Sequence, residues 1–308
     1  MILCCGEALI DMLPRKAVTG EEAFAPACGG AIFNTAIALG RLGVRAGMLT
    51  GLSTDMFGQQ LKAELEASQV DTSYVLSSDR PSTLAFVKLT DGQASYSFFD
   101  ENSAGRMLTS DDMPALADDV SALYFGGISL ACEPAADAYA ALAKAEGASR
   151  AVMLDPNIRQ GFIADETRYR TRLRGMIRVA DIVKVSDEDL DWIVPGDLTL
   201  AEKADTLLDQ GPVLVIVTEG AKGVTGHLHG GAQVYVPAQP VDVVDTVGAG
   251  DTFNAGVLAK FSETGALDKS RVATLSPEIV KSALSFGAKV AGVTVSRAGA
   301  NPPWAAEL

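Results

Sequence analysis

The chain has 308 residues, which is enough for one large α/β domain with or without a small satellite. Apolar residues make up 48% and charged residues 21%, so the composition excludes a disordered chain and supports a large buried core. The net charge of −14, without a basic cluster, argues against a nucleic-acid partner.

The cysteines and the hydropathy pattern bear on the compartment. Four cysteines, Cys4, Cys5, Cys28 and Cys132, show no Cys-x-x-Cys spacing, so we expect reduced thiols rather than metal ligands. No signal-peptide pattern opens the chain, and no apolar run approaches the ~20 residues of a membrane span. We therefore expect a cytoplasmic protein without a membrane partner.

The N-terminal segment begins with a short apolar run, residues 2–5, which predicts a buried strand. Asp11 lies just past this strand, at the end where open α/β sheets bind ligands. A solvated turn acid is the alternative interpretation. The paired glycines Gly29 and Gly30 then precede a predicted helix over residues 31–42. Asn34 falls in its first turn, where it either starts the helix or faces the same mouth.

Residues 83–99 break the strand–helix alternation. Two strand-like runs flank Asp91-Gly92, a dipeptide typical of hairpin turns. We predict a single domain over residues 1–308, with a small β-sheet lid formed by about residues 10–27 and 82–100. Such a lid would exclude water from a reaction site. Arg106 follows at the lid–core junction, as a ligand contact or as a surface arginine.

The later strands end in polar clusters. Buried strands are predicted at residues 151–155, 182–186 and 213–218, and the alternation with helices predicts a doubly wound, mostly parallel sheet. Asn157 and Arg159 follow the first of these strands, as ligand contacts or as parts of a capped loop. His227 and His229 have no third metal ligand spaced nearby, so we expect them on an exposed strand face.

A glycine-rich turn dominates the C-terminal half. Gly248-Ala249-Gly250 follows a β-branched run and precedes apolar residues at helical spacing, so a helix begins near residue 249 or 250. Bare backbone N–H groups and the positive end of the helix dipole make such a turn an anion site. Asp251, in the first turn, either caps the helix or removes a proton from a hydroxyl.

Two signatures carry a family resemblance. The run Asp245-Thr246-Val247-Gly248-Ala249-Gly250-Asp251 resembles the C-terminal signature of the ribokinase (PfkB) family of sugar kinases. Residues 29–43, a glycine pair followed by Asn34 and a small-residue helix ending in glycine, resemble its N-terminal signature. Since both occur in the right order, the resemblance covers nearly the whole chain.

The resemblance implies a ribokinase-like fold and transfer of a phosphoryl group from ATP, with Mg²⁺, to a sugar hydroxyl. The polar run after the lid is similar to bacterial fructokinases of the family, which favours O6 of D-fructose. The alternatives are 2-keto-3-deoxygluconate, ribose or a nucleoside as substrate, or a silent sugar-binding relative. A Walker-type kinase lacks its motif here, and the dinucleotide fingerprint of a dehydrogenase fails at Phe253.

The resemblance also implies site residues. The catalytic group comprises the base Asp251 and an anion hole of Gly248, Ala249 and Gly250. The expected sugar contacts are Asp11, Gly29, Gly30, Asn34, Phe98, Arg106, Asn157, Arg159 and Asp251. The expected nucleotide contacts are Lys184, Ser186, Thr218, Gly220, Gly223, Gly248, Gly250 and Asn301. Asp189 would hold Mg²⁺ through water, and backbone carbonyls near Asp245 and Val247 would hold K⁺.

Three further expectations concern details of this site. Many family members carry Asn-x-x-Glu where this chain has Ser186 and Asp189, and that departure shortens the predicted metal ligands. An aspartate of ordinary pKa, ~3.9, is ionised at neutral pH, so Asp251 would need no special tuning. The unpaired edge of the lid makes a homodimer through the lid plausible.

Overall fold

A nine-stranded sheet forms the centre of the protein. The structure, a computed structural model, describes residues 1–90 and 93–308; the predicted turn at Asp91-Gly92 lies outside the described residues. The described strands are β1 Ile2–Cys5, β2 Leu9–Lys16, β3 Glu22–Gly29, β4 Ala46–Ser53, β5 Val75–Ser78, β6 Leu84–Thr90, β7 Gln93–Phe99, β8 Ala122–Gly126, β9 Ala151–Asp155, β10 Ile182–Ser186, β11 Leu214–Thr218, β12 Val224–Leu228 and β13 Gln233–Val236. The described helices are α1 Ala31–Arg41, α2 Met56–Ala67, α3 Ala135–Glu146, α4 Glu166–Ile177, α5 Asp187–Ile193, α6 Leu200–Leu208, α7 Ala249–Glu263, α8 Lys269–Val272 and α9 Pro277–Val295.

The large sheet has the order β13-β12-β11-β10-β9-β8-β1-β4-β5. Its strands pair in parallel from β11 to β5, whereas β12 and β13 form an antiparallel edge. The doubly wound, mostly parallel sheet predicted from the sequence is therefore confirmed. Since parallel strands end at the same edge, the polar residues that follow β1, β8, β9, β10 and β11 come together there.

Helices cover both faces of this sheet. Successive side chains of a strand point to opposite faces, so adjacent residues of β1 enter different apolar clusters. Cys4 packs in the cluster under α1, α7 and α9, and Cys5 packs in the one under α3, α4 and α6. Both thiols are free and fully buried. A parallel sheet that is apolar on both faces requires this double cover.

A second, four-stranded sheet has the order β3-β2-β6-β7. Its strands come from the two stretches expected to form a lid, and β2 and β3 form an antiparallel hairpin. The middle strands β2 and β6 pair in parallel. The ring of Phe98, on β7, packs edge-on against the ring of Phe162, which lies between β9 and α4, with ring centroids 4.3 Å apart. The second sheet therefore lies over the carboxyl edge of the large sheet.

One local expectation, that His227 lies on an exposed strand face, is wrong. His227 is only 4% exposed, because α6 packs against β12, whereas His229 lies beyond the strand and is exposed. None of the described helices has the length and apolar character of a membrane span.

Candidate active site

A glycine turn leads from residue 245 into α7, and we call residues 245–250 the anion turn. Gly248 has φ 76°, a left-handed conformation that favours glycine. A Cβ at this position would lie 2.6 Å from the Cβ of Ala300, so a larger residue would push the C-terminal segment away. Helix α7 begins at Ala249, as predicted, and residues 248–251 line a cleft together with Asp155 and Lys184.

Asp251 is buried in the first turn of α7, with 9% of its surface exposed. Asn34 Nδ2 donates a 2.9 Å hydrogen bond to Asp251 Oδ2, and Thr35 Oγ1 donates a 3.1 Å bond to the Asp251 carbonyl. Burial raises the pKa of Asp251 to about 7, against the lowering effect of the Asn34 hydrogen bond. The expectation of an unshifted carboxylate is therefore wrong, because this side chain is buried.

A buried ion pair lies beside the anion turn. Lys184 Nζ is 3.0 Å from Asp155 Oδ2, and both side chains are less than a tenth exposed. Asn254 Nδ2 donates to the same carboxylate oxygen at 2.7 Å and to Tyr124 Oη at 2.9 Å. A Cβ at Gly250 would lie 3.5 Å from Lys184 Nζ, so the ammonium group borders the turn. The pair thus places a positively charged group beside the glycine turn.

The first cleft, about 340 Å³ in volume, opens in front of Asp251. Seven of the predicted sugar contacts line it, namely Asp11, Gly30, Asn34, Phe98, Asn157, Arg159 and Asp251. Gly29 lies directly beneath Asp11, since a Cβ on Gly29 would overlap Asp11 Oδ2. Burial raises the pKa of Asp11 to about 6. Residues from both ends of the chain are therefore brought to one cleft.

Arg106 lies elsewhere. Its Nη1 is 2.9 Å from both carboxylate oxygens of Asp100, and its Nε donates to the Glu133 carbonyl at 3.1 Å. It lines a separate small cavity behind the first cleft. In this structure Arg106 fixes the junction between the second sheet and α3, so its predicted sugar contact would require a rearrangement.

Sequence reasoning missed several residues of the first cleft. Glu7, Leu9, Gly127, Ile128, Asp155, Phe162 and Lys184 also line it, and of these Lys184 alone was predicted to bind a ligand, the nucleotide. Glu7 lies two residues after the end of β1 and Asp155 ends β9, so their positions at or near strand ends were the available signal.

The second cavity, about 690 Å³ in volume, lies on the other side of the anion turn. Thr218, Gly220 and Gly223, three of the expected nucleotide contacts, line it together with the apolar face of α9 at Ala288, Ala291, Gly292 and Val295. The two cavities share Thr246, Ala249 and Gly250. A ligand in one can therefore meet a ligand in the other at the anion turn.

Four other predicted residues have intramolecular partners. Ser186 Oγ accepts the Asp189 amide at 3.0 Å and caps α5, and Asn301 Oδ1 accepts from Arg41 Nη1 at 2.9 Å. Asp189 Oδ1 accepts the Ile158 amide at 3.1 Å, and burial raises the pKa of this carboxyl. The Asp245 carboxylate accepts the Val247 amide at 3.0 Å and the Gly299 amide at 2.9 Å.

These bonds leave few direct metal ligands. Among the described residues no group of three or more His, Cys, Asp and Glu side chains has a metal-binding arrangement. Asp155 Oδ1 is nevertheless buried and has no hydrogen-bond partner within the described part of the chain. Carboxylate oxygens are suitable ligands for Mg²⁺, which usually keeps several waters and binds through substrate phosphates.

Comparisons with known proteins agree with this geometry. Residues 1–307 match the family model described as pfkB family carbohydrate kinase. The chain is 52% identical, over 91% of its length and 86% of the relative, to a fructokinase of Rhizobium leguminosarum bv. trifolii. The fold is similar to the crystal structure of a Xylella fastidiosa fructokinase with bound ATP, with a TM-score of 0.88, 30% identity and coverage of 97% and 93%.

A second solved structure extends the similarity. It is a Vibrio cholerae O395 fructokinase in its fructose, ADP and calcium ion bound form, with a TM-score of 0.83, 25% identity and coverage of 97% of this chain and 94% of that one. The family match spans nearly the whole sequence, and the two signatures lie together at the junction of two cavities. The chain belongs to the pfkB family of carbohydrate kinases.

Proposed function

We propose that the protein is an ATP-dependent fructokinase, which transfers the terminal phosphoryl group of ATP to O6 of D-fructose. The observation that carries the proposal is the meeting of two cavities at the anion turn, with Asp251 lining one of them. The first cleft is the sugar site and the second cavity is the nucleotide site. The similarity to fructokinases selects fructose within the family.

Asp251 is the general base of this reaction. Its carboxylate accepts the proton of the acceptor hydroxyl, and the oxygen then attacks the terminal phosphorus while the bond to the leaving ADP oxygen breaks. The backbone N–H groups of Gly248, Gly250 and Asp251 stabilise charge on the transferred group, whereas the Ala249 N–H, also expected in the anion hole, donates to the Thr246 carbonyl at 3.3 Å. Lys184 adds a positive charge beside this turn, so it acts toward the phosphates from the sugar side of the turn.

Mg²⁺ and K⁺ are part of the proposal. Mg²⁺, when bound with ATP, supplies positive charge that neutralises the phosphates. Asp155 and Asp189 are the nearby carboxylates that fit a water-mediated contact with it. For K⁺, the fitting groups are the carbonyls around Asp245 and Val247, whose turn is held by the Gly299 amide. Equal rates of sugar phosphorylation in sodium and potassium buffers would overturn the proposal of a K⁺ site.

The polar lining of the first cleft fits a polyol. Asp11 and Asn34 offer an acceptor and a donor to sugar hydroxyls, and Asn157 and Arg159 also line the cleft. The second sheet, whose Phe98 reaches the cleft, serves as the lid. The same lining would accept 2-keto-3-deoxygluconate or a riboside, which are the alternative substrates. The intact base and anion turn disfavour a silent sugar-binding relative.

Two proposals concern the state of the protein in the cell. The free, buried thiols Cys4, Cys5 and Cys132 fit a reducing cytoplasm.

Strand β3 is the edge strand of the second sheet, and Phe24 on it is 47% exposed, which fits a homodimer through the lid. Sedimentation of the protein with and without a Phe24→Glu substitution tests the dimer.

A coupled ADP-release assay tests the function. The enzyme with Mg-ATP is offered fructose, ribose, 2-keto-3-deoxygluconate and inosine in parallel, and phosphorylated product is identified by mass. We expect fructose to give the highest kcat/KM. A clear preference for another sugar would replace the substrate and keep the kinase. Turnover on none of them, with ATP bound, would support the silent relative.

A further inference from the structure

Glu7, at the carboxyl end of β1, accepts hydrogen bonds from two separate segments. Its Oε1 accepts the amide of Ala31 at 3.1 Å, and its Oε2 accepts the amide of Ser129 at 3.3 Å. Its own carbonyl accepts the amide of Phe33 at 3.2 Å. Glu7 therefore joins the first turn of α1 to the turn that follows β8.

The backbone around this carboxylate is closely packed. Gly127 has φ 66°, and a Cβ at this position would overlap Glu7 Oε1. The turn after β8 can approach the carboxylate this closely because residue 127 is a glycine. Ser129 Oγ in turn donates a 2.6 Å hydrogen bond to the Gly126 carbonyl, which fixes the same turn.

The turn of α1 that Glu7 holds is also the turn that holds Asp251. Asn34 Nδ2 donates to Asp251 Oδ2, and Thr35 Oγ1 donates to the Asp251 carbonyl. A continuous set of hydrogen bonds thus runs from the Glu7 carboxylate through the start of α1 to both the side chain and the main chain of Asp251.

The charge of Glu7 also affects the protonation of Asp251. Burial is the main cause of the raised pKa of Asp251, and the negative charges of Asp155 and Glu7 raise it further. Lys184 and the Asn34 hydrogen bond act in the opposite direction. Removal of the Glu7 charge therefore favours the ionised form of Asp251 and lowers its pKa.

We propose that Glu7 is a positioning residue for phosphoryl transfer, which holds the first turn of α1, and through it Asn34 and Asp251, against the acceptor hydroxyl. The inference rests on the proposed kinase function. A carboxylate is needed because each of its two oxygens accepts a different backbone N–H. A glutamine would turn its NH₂ group toward one of these donors and leave that N–H without an acceptor.

The test compares three variants. Glu7→Gln removes the charge, Glu7→Asp keeps the charge on a shorter side chain, and Glu66→Gln is the matched change on the exposed surface of α2. In Glu7→Gln we expect kcat to fall by about tenfold or more, as for loss of a charged hydrogen bond, while KM for ATP is unchanged. In the plot of kcat/KM against pH, the acid limb, where activity falls as the pH is lowered, should move to lower pH in Glu7→Gln. In Glu7→Asp we expect kcat to fall and the acid limb to stay at the pH of the native enzyme.

The outcomes separate the two proposals. If the native enzyme phosphorylates none of the sugars, the proposed function fails, and the role of Glu7 with it. If the native enzyme is active and Glu7→Gln behaves like Glu66→Gln, the role of Glu7 alone is overturned. It is also overturned if both Glu7 variants lose stability and activity while the acid limb stays in place. If Glu7→Gln does not fold, a native-like kcat in Glu7→Asp overturns it.

Discussion

Asn34 Nδ2 donates a 2.9 Å hydrogen bond to Asp251 Oδ2, which joins the first turn of α1 to the first turn of α7. Each residue belongs to a different signature of the sequence, and the bond is buried. It points the Asp251 carboxylate into the first cleft and favours its ionised form. The two signatures thus form one site, in which the first supports the base that the second provides.

Replacement of Asp251 by asparagine tests the base. Asparagine keeps the size and an oxygen acceptor but cannot take a proton, so we expect kcat to fall by at least about 100-fold. Fructose binding, measured by calorimetry, should persist, and the melting temperature should not fall. Asp209→Asn, the same change on an exposed residue at the end of α6, is the control. Near-normal turnover in Asp251→Asn would show that Asp251 is not the general base.

The pH dependence follows from the buried position of Asp251. Because its pKa is raised to about 7, the free enzyme loses its ionised base as the pH falls through 7. We expect kcat/KM for the sugar to drop about tenfold per pH unit below that point. Asn34→Ala removes a donor that stabilises the carboxylate, so its acid limb should move to higher pH. A kcat/KM of the native enzyme that began to fall only near pH 4 would contradict this prediction.

The buried ion pair gives a prediction in which stability and activity separate. Lys184→Met leaves the Asp155 carboxylate buried without its cation, which typically costs about 3–5 kcal/mol in unfolding free energy. The double variant Lys184→Met/Asp155→Asn removes both charges and should recover most of that stability. Its kcat should stay low, because the positive charge beside the anion turn and the Asp155 carboxylate proposed to contact Mg²⁺ through water are both missing.

Urea unfolding and the ADP-release assay measure the two properties on the same preparations. If the double variant recovered both stability and turnover, Lys184 would be a structural partner of Asp155 alone. If Lys184→Met kept full stability, the pair would contribute nothing to folding.

Local patterns account for what the sequence predicted well. The glycine turn before α7 and the places of Asp251 and Asn34 in the first turns of their helices were predictable, because a turn and the start of a helix are set by adjacent residues. Glu7 was missed because its partners, at residues 31 and 129, are distant in sequence, and a lone glutamate after a strand has no local signature. The raised pKa of Asp251 was missed for a similar reason, since burial depends on several segments.

His227 shows the limit of strand periodicity. Alternation indicated which residues share a face, but which face was covered depended on where α6 packs. Arg106 shows a second limit: its position at the lid–core junction was predictable, whereas its pairing with Asp100 depended on the conformation of a loop. Such residues need tertiary contacts before a role can be assigned.

The burial of His227 predicts a loss of stability in acid. Burial lowers the pKa of His227 below its ordinary value of 6.5, and its Nδ1 has no hydrogen-bond partner among the described residues. The folded protein therefore binds this proton less readily than the unfolded chain. The contribution is fully present above pH 6.5 and is lost as the pH falls from there through the lower pKa of the folded state.

His227→Phe keeps a planar ring and removes the titration, so its unfolding free energy should fall less between pH 7 and pH 5 than that of the native protein. His229→Phe, the same change at an exposed position, should follow the native pH dependence. Urea unfolding at the two pH values measures both. Parallel losses in the native protein and His227→Phe would mean that His227 takes up a proton as readily in the folded protein as in the unfolded chain, and that other groups cause the acid sensitivity.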